Sequence, residues 1–443
     1  MVRTWLLMVI LWLSFKATAQ IFSKKPDSKI ILSPQETFQT IESFGGNFYR
    51  TQYADKAEDA IGICVLNRLK PQSIRFHIPL SHWEPRNDNP FTDQVYWPGF
   101  KDVGVVESLF RFLRTMKKQY GVQTFIGTIW DLPEWLVTNP HQKTQRKISP
   151  EMYPELAESI ATFLRHAKGK YGVEVTYISI NEPDAGNCLS FSPQELANFI
   201  KLAMPIIEKM GVSVKFIVGD VRKIDAISQY LNQLWAEESL RQYMGPIAFH
   251  SWQLPELPNA ILEKIPTIAK QYQLPLWCTE VGYNAHLGNS TEHFSTWQHA
   301  WETARTYHRL LRYSNVTSAY YWTFQDHYPL ASPDTLTIYP AFHYLNRLVK
   351  HFKPSITLIN AITDDADLWV LAGKDNKGKI VMQIINIAYQ PREIEISNWN
   401  AQQVMMDSAN NDDPNFEKIL IKLKSGKLRV TLPAQSINFF STL

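Results

Sequence analysis

The sequence predicts an α/β architecture: a closed (β/α)8 TIM barrel carrying a small antiparallel β-sandwich side domain built from both termini. Two observations carry this expectation. Between Phe44 and Phe352, short apolar runs alternate with amphipathic stretches of helical period, and strands buried on both faces read as continuous apolar runs. After Lys353 the helical period vanishes, and alternating segments follow, separated by the turn signals "DD", "KDNKGK" and "YQPR". An open doubly wound sheet would also alternate, but no glycine-rich phosphate loop follows the first strand.

The elements follow in order. Residues 1–19 read as a signal peptide, because Arg3 precedes the apolar run "WLLMVILWL" and Ala17 and Ala19 supply small residues for cleavage after Ala19. That run is shorter than the ~20 residues a membrane span takes. A secreted or periplasmic protein with no membrane span after cleavage is expected. Residues 20–43 are expected to be N-terminal strands joining the sandwich, from the strand–turn–strand look of "KIILSPQETFQTIESFG". The barrel occupies 44–352. Its strands are expected at 44–48, 73–78, 124–128, 175–180, 215–219, 245–249, 276–279 and 319–323. The helices are expected at 55–69, 103–119, 153–170, 193–210, 224–240, 256–271, 295–312 and 340–350. Ser192 before Pro193, with Glu195 close behind, is a helix start. Residues 353–443 supply the remaining β-sandwich strands. An Asp/Asn cluster at 406–413 lacks the ordered spacing of a calcium loop and reads as a solvated hairpin turn.

Composition narrows the function. The net charge is +3 over 443 residues, without a Lys/Arg block, which gives no track for nucleic acid. Aromatic residues make up 13%, with 14 Trp, which suits flat sugar faces as well as a core. The three cysteines, Cys64, Cys188 and Cys278, are odd in number and irregularly spaced, so neither a disulfide framework nor a zinc site follows. No paired-His or Cys/His spacing suggests a metal, and no cofactor is expected.

Chemistry in such a barrel gathers where the strands' carboxyl ends open. Read in order, those ends present Asn47, then Arg75 and His77, Trp130 and Asp131, Asn181 and Glu182, Asp220, His250 and Trp252, Glu280, and Trp322. Glu182 ends the apolar run of "YISINEP" and Glu280 that of "PLWCTEVGY". Two opposed carboxyls are what glycoside hydrolysis requires, one to protonate the leaving oxygen and one to attack the anomeric carbon or activate water.

"INEP" and "WCTEVGY" resemble the clan of retaining (β/α)8 glycosidases that carry acid/base and nucleophile on strands four and seven. Within it, "FQTIESFGGNF", "GTIWDLPEWLV" and "YPAFHYLNRLVKHFKPSITLI" are similar to glycoside hydrolase family 30, over nearly the whole chain. Ser43 and Ile180 depart from it, standing where that family carries Gly and Gln. The resemblance implies a retaining β-glycosidase with Glu182 as acid/base and Glu280 as nucleophile. Asn181 is expected to donate to the sugar 2-hydroxyl, Trp130 and Trp322 to form the sugar platform, and Arg75 to support the charge on Glu280. His250, Trp252, Asn47, Asp131 and Tyr283 are further substrate-binding candidates, while Asp220 reads as a helix cap. The alternatives are a β-glycosidase of another family in the clan, of xylosidase or mannanase type, and a catalytically silent carbohydrate-binding protein on the same scaffold.

Overall fold

The structure is a computed structural model and describes residues 26–49, 60–90, 94–289, 291–325, 327–424 and 426–443. The expected signal peptide, 1–19, lies outside the described residues. Eight parallel strands close into a barrel: β2 (Ser43–Phe48), β3 (Ser73–His77), β4 (Thr124–Ile129), β5 (Tyr177–Ile180), β6 (Lys215–Val221), β7 (Met244–His250), β8 (Leu276–Val281) and β9 (Ser318–Tyr321). Closure comes from β9 pairing with β2. These strands are buried on both faces. One face packs on the surrounding helices. On the other, Ile126, Ile217, Ala248, Trp277 and Tyr320, from five different strands, meet one another across the lumen. Such close packing needs room at Gly45, where a Cβ would stand 2.3 Å from the Ser73 carbonyl oxygen.

The helices form where the apolar period predicts them, with instructive differences at their ends. Pro193–Lys209 opens on a full capping box, with the Ser192 hydroxyl accepting from the Glu195 N–H and the Glu195 carboxylate accepting from the Ser192 N–H. The stretch expected as one helix over 256–271 is two, Asn259–Leu262 and Ile265–Tyr272. Pro266 lacks the N–H that would carry the first into the second. The helix expected at 224–240 is regular only over Ile227–Ala236 and is flanked by 3-10 turns. Of the helix expected at 55–69, Ala60–Leu69 is described.

The second unit is one nine-stranded sheet. It contains β1 (Ser28–Thr40), β10 (Thr357–Thr363), β11 (Leu368–Lys374), β12 (Ile380–Asn386), β13 (Arg392–Ser397), β14 (Gln403–Ala409), β15 (Glu417–Lys422), β16 (Leu428–Leu432) and β17 (Ser436–Thr442). It departs from a purely antiparallel arrangement at one pairing, because the N-terminal β1 runs antiparallel to β10 on one side and parallel to β13 on the other. The sheet curls over its own core, in which Ile30, Val370, Met382, Ile394, Trp399 and Leu432 pack together. Its opposite face joins the barrel's core through Ile356, Leu371, Ile437 and Phe439. The helix Pro340–His351 ends at this seam, where His351 Nε2 lies 2.9 Å from Asp407 Oδ2 and its ring stacks on Phe439. Asp407, from the Asp/Asn cluster expected to be a solvated turn, is instead engaged at the seam. Asn410 Oδ1 accepts from the N–H groups of Asp412 and Asp413, which closes the rest as a turn.

Trp399 is 1% exposed and donates its indole N–H to Thr442 Oγ1 at 2.9 Å. Trp399→Ala leaves a cavity and is expected to cost about 3–5 kcal/mol of stability. Denaturant unfolding of the two proteins measures it, and a loss under 1 kcal/mol would show that the curled sheet has no core there.

Candidate active site

The site is assembled around Arg75. Strand β3 faces this guanidinium into the barrel, with Asn47 of β2 directly opposite in register. It is fully buried. One terminal nitrogen donates to Asn47 Oδ1 and to Glu280 Oε1, both at 2.9 Å. The other donates to Asn181 Oδ1 at 2.7 Å and to Asp220 Oδ2 at 2.8 Å. The Trp130 ring lies over the guanidinium at 4.4 Å. A single fork therefore sets four side chains from four strand ends, the geometry for which arginine is suited.

Glu182 and Glu280 meet across the barrel mouth. The odd junction in "YISINEP" has a backbone reason. Glu182 takes φ of 44° and, opposite it, Asp220 takes 53°, a region that L-residues seldom occupy. The Glu182 N–H donates to the Asp220 carbonyl at 3.0 Å, and Pro183 ends the strand. The turn directs Glu182 inward instead of along the sheet, a local cost of the kind that functional sites carry.

His250 lies between the two glutamates. Its Nδ1 is 2.8 Å from Glu182 Oε1 and 3.2 Å from Glu280 Oε2, and its Nε2 is 3.4 Å from Asp220 Oδ1. One oxygen of each glutamate and a nitrogen of His250 all fall within 4.8 Å of one another. Burial opposes the charge on His250, but Glu280, Asp220 and Glu182 outweigh it and push its pKa up to about 10. Burial likewise opposes the charge on Asp220, yet Arg75 and His250 hold its carboxyl well below the usual range. For Glu280 burial prevails and raises the pKa, with Glu182 adding to it and His250 and Arg75 pulling it back. The remaining oxygens are also held. Trp252 Nε1 donates to Glu280 Oε2 at 3.1 Å, and Asn187 Nδ2 donates to Glu182 Oε2.

A cavity of about 750 Å³ opens above the pair, lined among others by Trp130, Asn181, Glu182, Trp252, Glu280 and Trp322. Trp322 meets Trp130 and Trp252 edge-on, at 5.8 and 6.3 Å between centroids. Several expected substrate contacts stand elsewhere. Asn47, Arg75 and His250 have no exposed surface and lie behind the cavity wall, where they orient the groups that line it. Asn47 Nδ2 is spent on the Thr279 carbonyl at 2.9 Å. Asp131 accepts from His77 Nε2 at 2.7 Å and from Ser81, so His77 is the one that reaches the cavity. Tyr283 bonds His293 and His299 at 2.5 and 2.9 Å and is set to the side. Asp220 caps no helix; the next turn starts from Lys223, without a side-chain cap.

Tyr49, Asn187, Arg222 and His327 line the cavity and escaped the sequence reading, since they lie in loops without periodic signal. Asn187 had one available clue, its place in the same short segment as Glu182. The triad Glu182, His250 and Glu280 has the spacing of a metal site, and Arg75 and His250 already set two cations beside its carboxyls.

Comparison with known proteins accords with this geometry. Residues 125–339 match the model of a family described as glycosyl hydrolase catalytic core. That segment is similar to a glycosidase core, and the fold of the chain is like that of family 30. No curated protein matches the chain. Among solved structures, the chain is similar to a family 30 xylanase C catalytic domain from Talaromyces cellulolyticus, at 18% identity and TM-score 0.74 over 94% of this chain and 100% of the other. It is similar to a family 30 endoxylanase from Clostridium papyrosolvens, at 17% and 0.73 over 94% and 99%. An endo-β-1,6-glucanase matches at 15% and 0.67, over 95% of this chain and 94% of its own. These likenesses concern the fold.

Two outcomes follow from the site. A Cβ at Gly282 would stand 2.2 Å from the Trp252 ring, so Gly282→Ala must displace the indole that holds Glu280. A hydrogen bond to a charged group contributes about 1.5–3 kcal/mol, so kcat/KM on an aryl glycoside should fall about 10-fold or more. Steady-state kinetics on the folded variant check it, and unchanged rates would remove Trp252 from the support of Glu280. Because the His250 pKa stands at about 10, above the ordinary 6.5, its stabilising contribution is whole below the ordinary value. It is lost as pH rises through about 10. The melting-temperature gap between wild type and His250→Gln should therefore narrow steadily from near pH 6 to near pH 10. A gap that stays constant over this range would mean a neutral His250.

Proposed function

We propose that this protein is an exported retaining β-glycosidase that cleaves β-linked glycans by double displacement, with Glu182 as acid/base and Glu280 as nucleophile. One observation carries the reading: the two carboxyls approach within 4.8 Å, over a common cavity. Retaining pairs stand about 5–5.5 Å apart, whereas inverting pairs need about 6.5–9.5 Å to admit a water.

Charge balance explains how the pair divides the work. Arg75 and His250 are cationic, and Asp220 is anionic. The buried cluster is then neutral when Glu182 and Glu280 carry one negative charge between them. That is the condition of both half-reactions. At the start Glu280 holds the charge and Glu182 the proton. As Glu280 attacks the anomeric carbon, Glu182 gives its proton to the departing oxygen, and the charge passes to Glu182. In the ester intermediate Glu280 is neutral, and Glu182 takes a proton from the water that attacks the same carbon. Asn181 Oδ1 is held by Arg75, so its Nδ2 is the group left to bind the sugar 2-hydroxyl. Trp130, Trp252 and Trp322 offer ring faces and edges to the sugar. The solved relatives named above act on xylan or β-1,6-glucan, and a β-linked polysaccharide of pyranoses is the substrate class we assign here. The signal-like segment 1–19 supports export.

The test uses aryl β-glucoside, β-xyloside, β-fucoside and β-galactoside. NMR of the first-formed sugar should show the β-anomer. Glu280→Gln should lose activity by on the order of 10⁴-fold or more. Glu182→Gln should lose about 10²–10⁴-fold, least with good leaving groups, and recover with azide, which needs no base. An α-anomer, or a Glu280→Gln enzyme that still turns over, would refute the mechanism. Glycan binding by wild type without turnover would instead establish a silent scaffold.

A further inference from the structure

The cavity wall carries one charge that the proposed bond cleavage does not use. Arg222 follows β6 directly, is half-buried, and lines the cavity together with Glu182 and Asn187. Its guanidinium makes no hydrogen bond, ion pair or ring contact with any of the described residues. Arg75, by contrast, serves four acceptors with its terminal nitrogens.

The acid best placed to neutralise Arg222 is spent elsewhere. Asp184, two residues past Glu182, accepts from the Arg222 N–H through Oδ1 and from the Lys223 N–H through Oδ2, both at 2.9 Å. Both oxygens thus hold main-chain donors. The same two loops are joined again where the Glu182 N–H donates to the Asp220 carbonyl at 3.0 Å. The loop after β4 braces the first of them, since the Gln145 N–H donates to the Gly186 carbonyl at 2.6 Å. Arg222 therefore starts from a backbone fixed relative to Glu182, and its charge stays free for the cavity.

This is the side on which the leaving group departs. The inference rests on the reading proposed above, in which Glu182 protonates the departing oxygen. The departing sugar then lies beside Glu182 and the loops tied to it. The rest of the lining is mostly aromatic: the Tyr49 ring meets those of Trp322 and His327 at 5.4 Å each, and Trp322 meets Trp130 at 5.8 Å. The cavity of about 750 Å³ falls within the ~300–1,000 Å³ that encloses drug-sized ligands. A sugar ring fits on each side of the scissile bond.

Charge decides what that second ring carries. A sugar that displaces water from the cavity strips solvation from a half-buried guanidinium. An apolar leaving group would return none of it, and neutral hydroxyls only a part. A planar anion returns it through two parallel charge-assisted hydrogen bonds, the geometry that the arginine fork matches. We propose that Arg222 is a specificity residue that binds an anionic substituent, a uronate carboxylate or a sulfate ester, on the departing sugar. The preferred substrate is then an acidic β-linked glycan.

The test uses thio-β-glucosides and thio-β-xylosides, which resist hydrolysis, so that binding is read apart from turnover. Their aryl groups stand in for the departing sugar and are para-carboxyphenyl, para-sulfophenyl or the neutral para-carbamoylphenyl. Calorimetry measures their affinity for the full-length protein. Wild type should bind a charged form about 10-fold or more tighter than the amide, and added salt should shrink this ratio. A larger gain for the carboxylate points to a uronate, and a larger gain for the sulfonate to a sulfate ester. Arg222→Gln should lose the preference and Arg222→Lys should keep part of it. Lys223→Gln, whose charge lies outside the cavity lining, should keep it whole. Equal affinities in wild type, no binding of the charged forms, or a preference that survives in Arg222→Gln would overturn the assignment. A preference in a protein that hydrolyses no aryl β-glycoside would uphold the anion site and remove the glycosidase reading. Hydrolysis without a preference would do the reverse.

Discussion

The constraint on which this site depends is a guanidinium with no access to water. Arg75 is wholly enclosed, and its two terminal nitrogens divide four acceptors contributed by β2, β6, β8 and the end of β5. A buried ion pair adds little net stability compared with an apolar core, but breaking one is expensive because an unpaired charge remains. Such a group therefore serves best as a specification. The barrel must close with those strand ends at one height, or the charge is orphaned. The same condition that fixes Arg75 fixes Glu280 and Asn181, so the active geometry and the correct register are a single requirement.

His250 completes the arrangement from the other side. With one nitrogen toward both glutamates and the other toward Asp220, it holds a positive charge where none is solvated. Two fixed cations against one fixed anion leave the barrel mouth short of one negative charge. In the mechanism proposed above, one proton shared between Glu182 and Glu280 supplies it without changing the total. Preorganised charge of this sort needs no solvent rearrangement during reaction.

The nine-stranded sheet contributes rigidity more than chemistry. Its outer core is its own, but its inner face shares apolar residues with the barrel helices, and β1 threads the N-terminal segment into it before the first barrel strand begins. The segment leading into β2 is therefore tied down. Ile41 exchanges backbone bonds with Ser355 and Ile356, which sets the start of the strand that carries Asn47.

How far the sequence alone reached can be judged residue by residue. The barrel was legible because strands buried on both faces must be apolar throughout, and helices facing them must repeat every three to four residues. Glu182 and Glu280 were legible because each ends such a run, where a carboxyl has no structural reason to be. The sheet's one parallel pairing was not legible, since alternation marks a strand but not its neighbour. Nor were the true stations of Asn47, Arg75 and His250. Their place behind the cavity, where they hold other side chains, depends on which strand ends face each other across the lumen. Asp220 acquired its partners, Arg75 and His250, only through that closure. Local patterning determined the elements and the chemistry they could carry. Distance, burial and charge balance between residues far apart in the chain are properties of the closed barrel, and only the tertiary structure decided them.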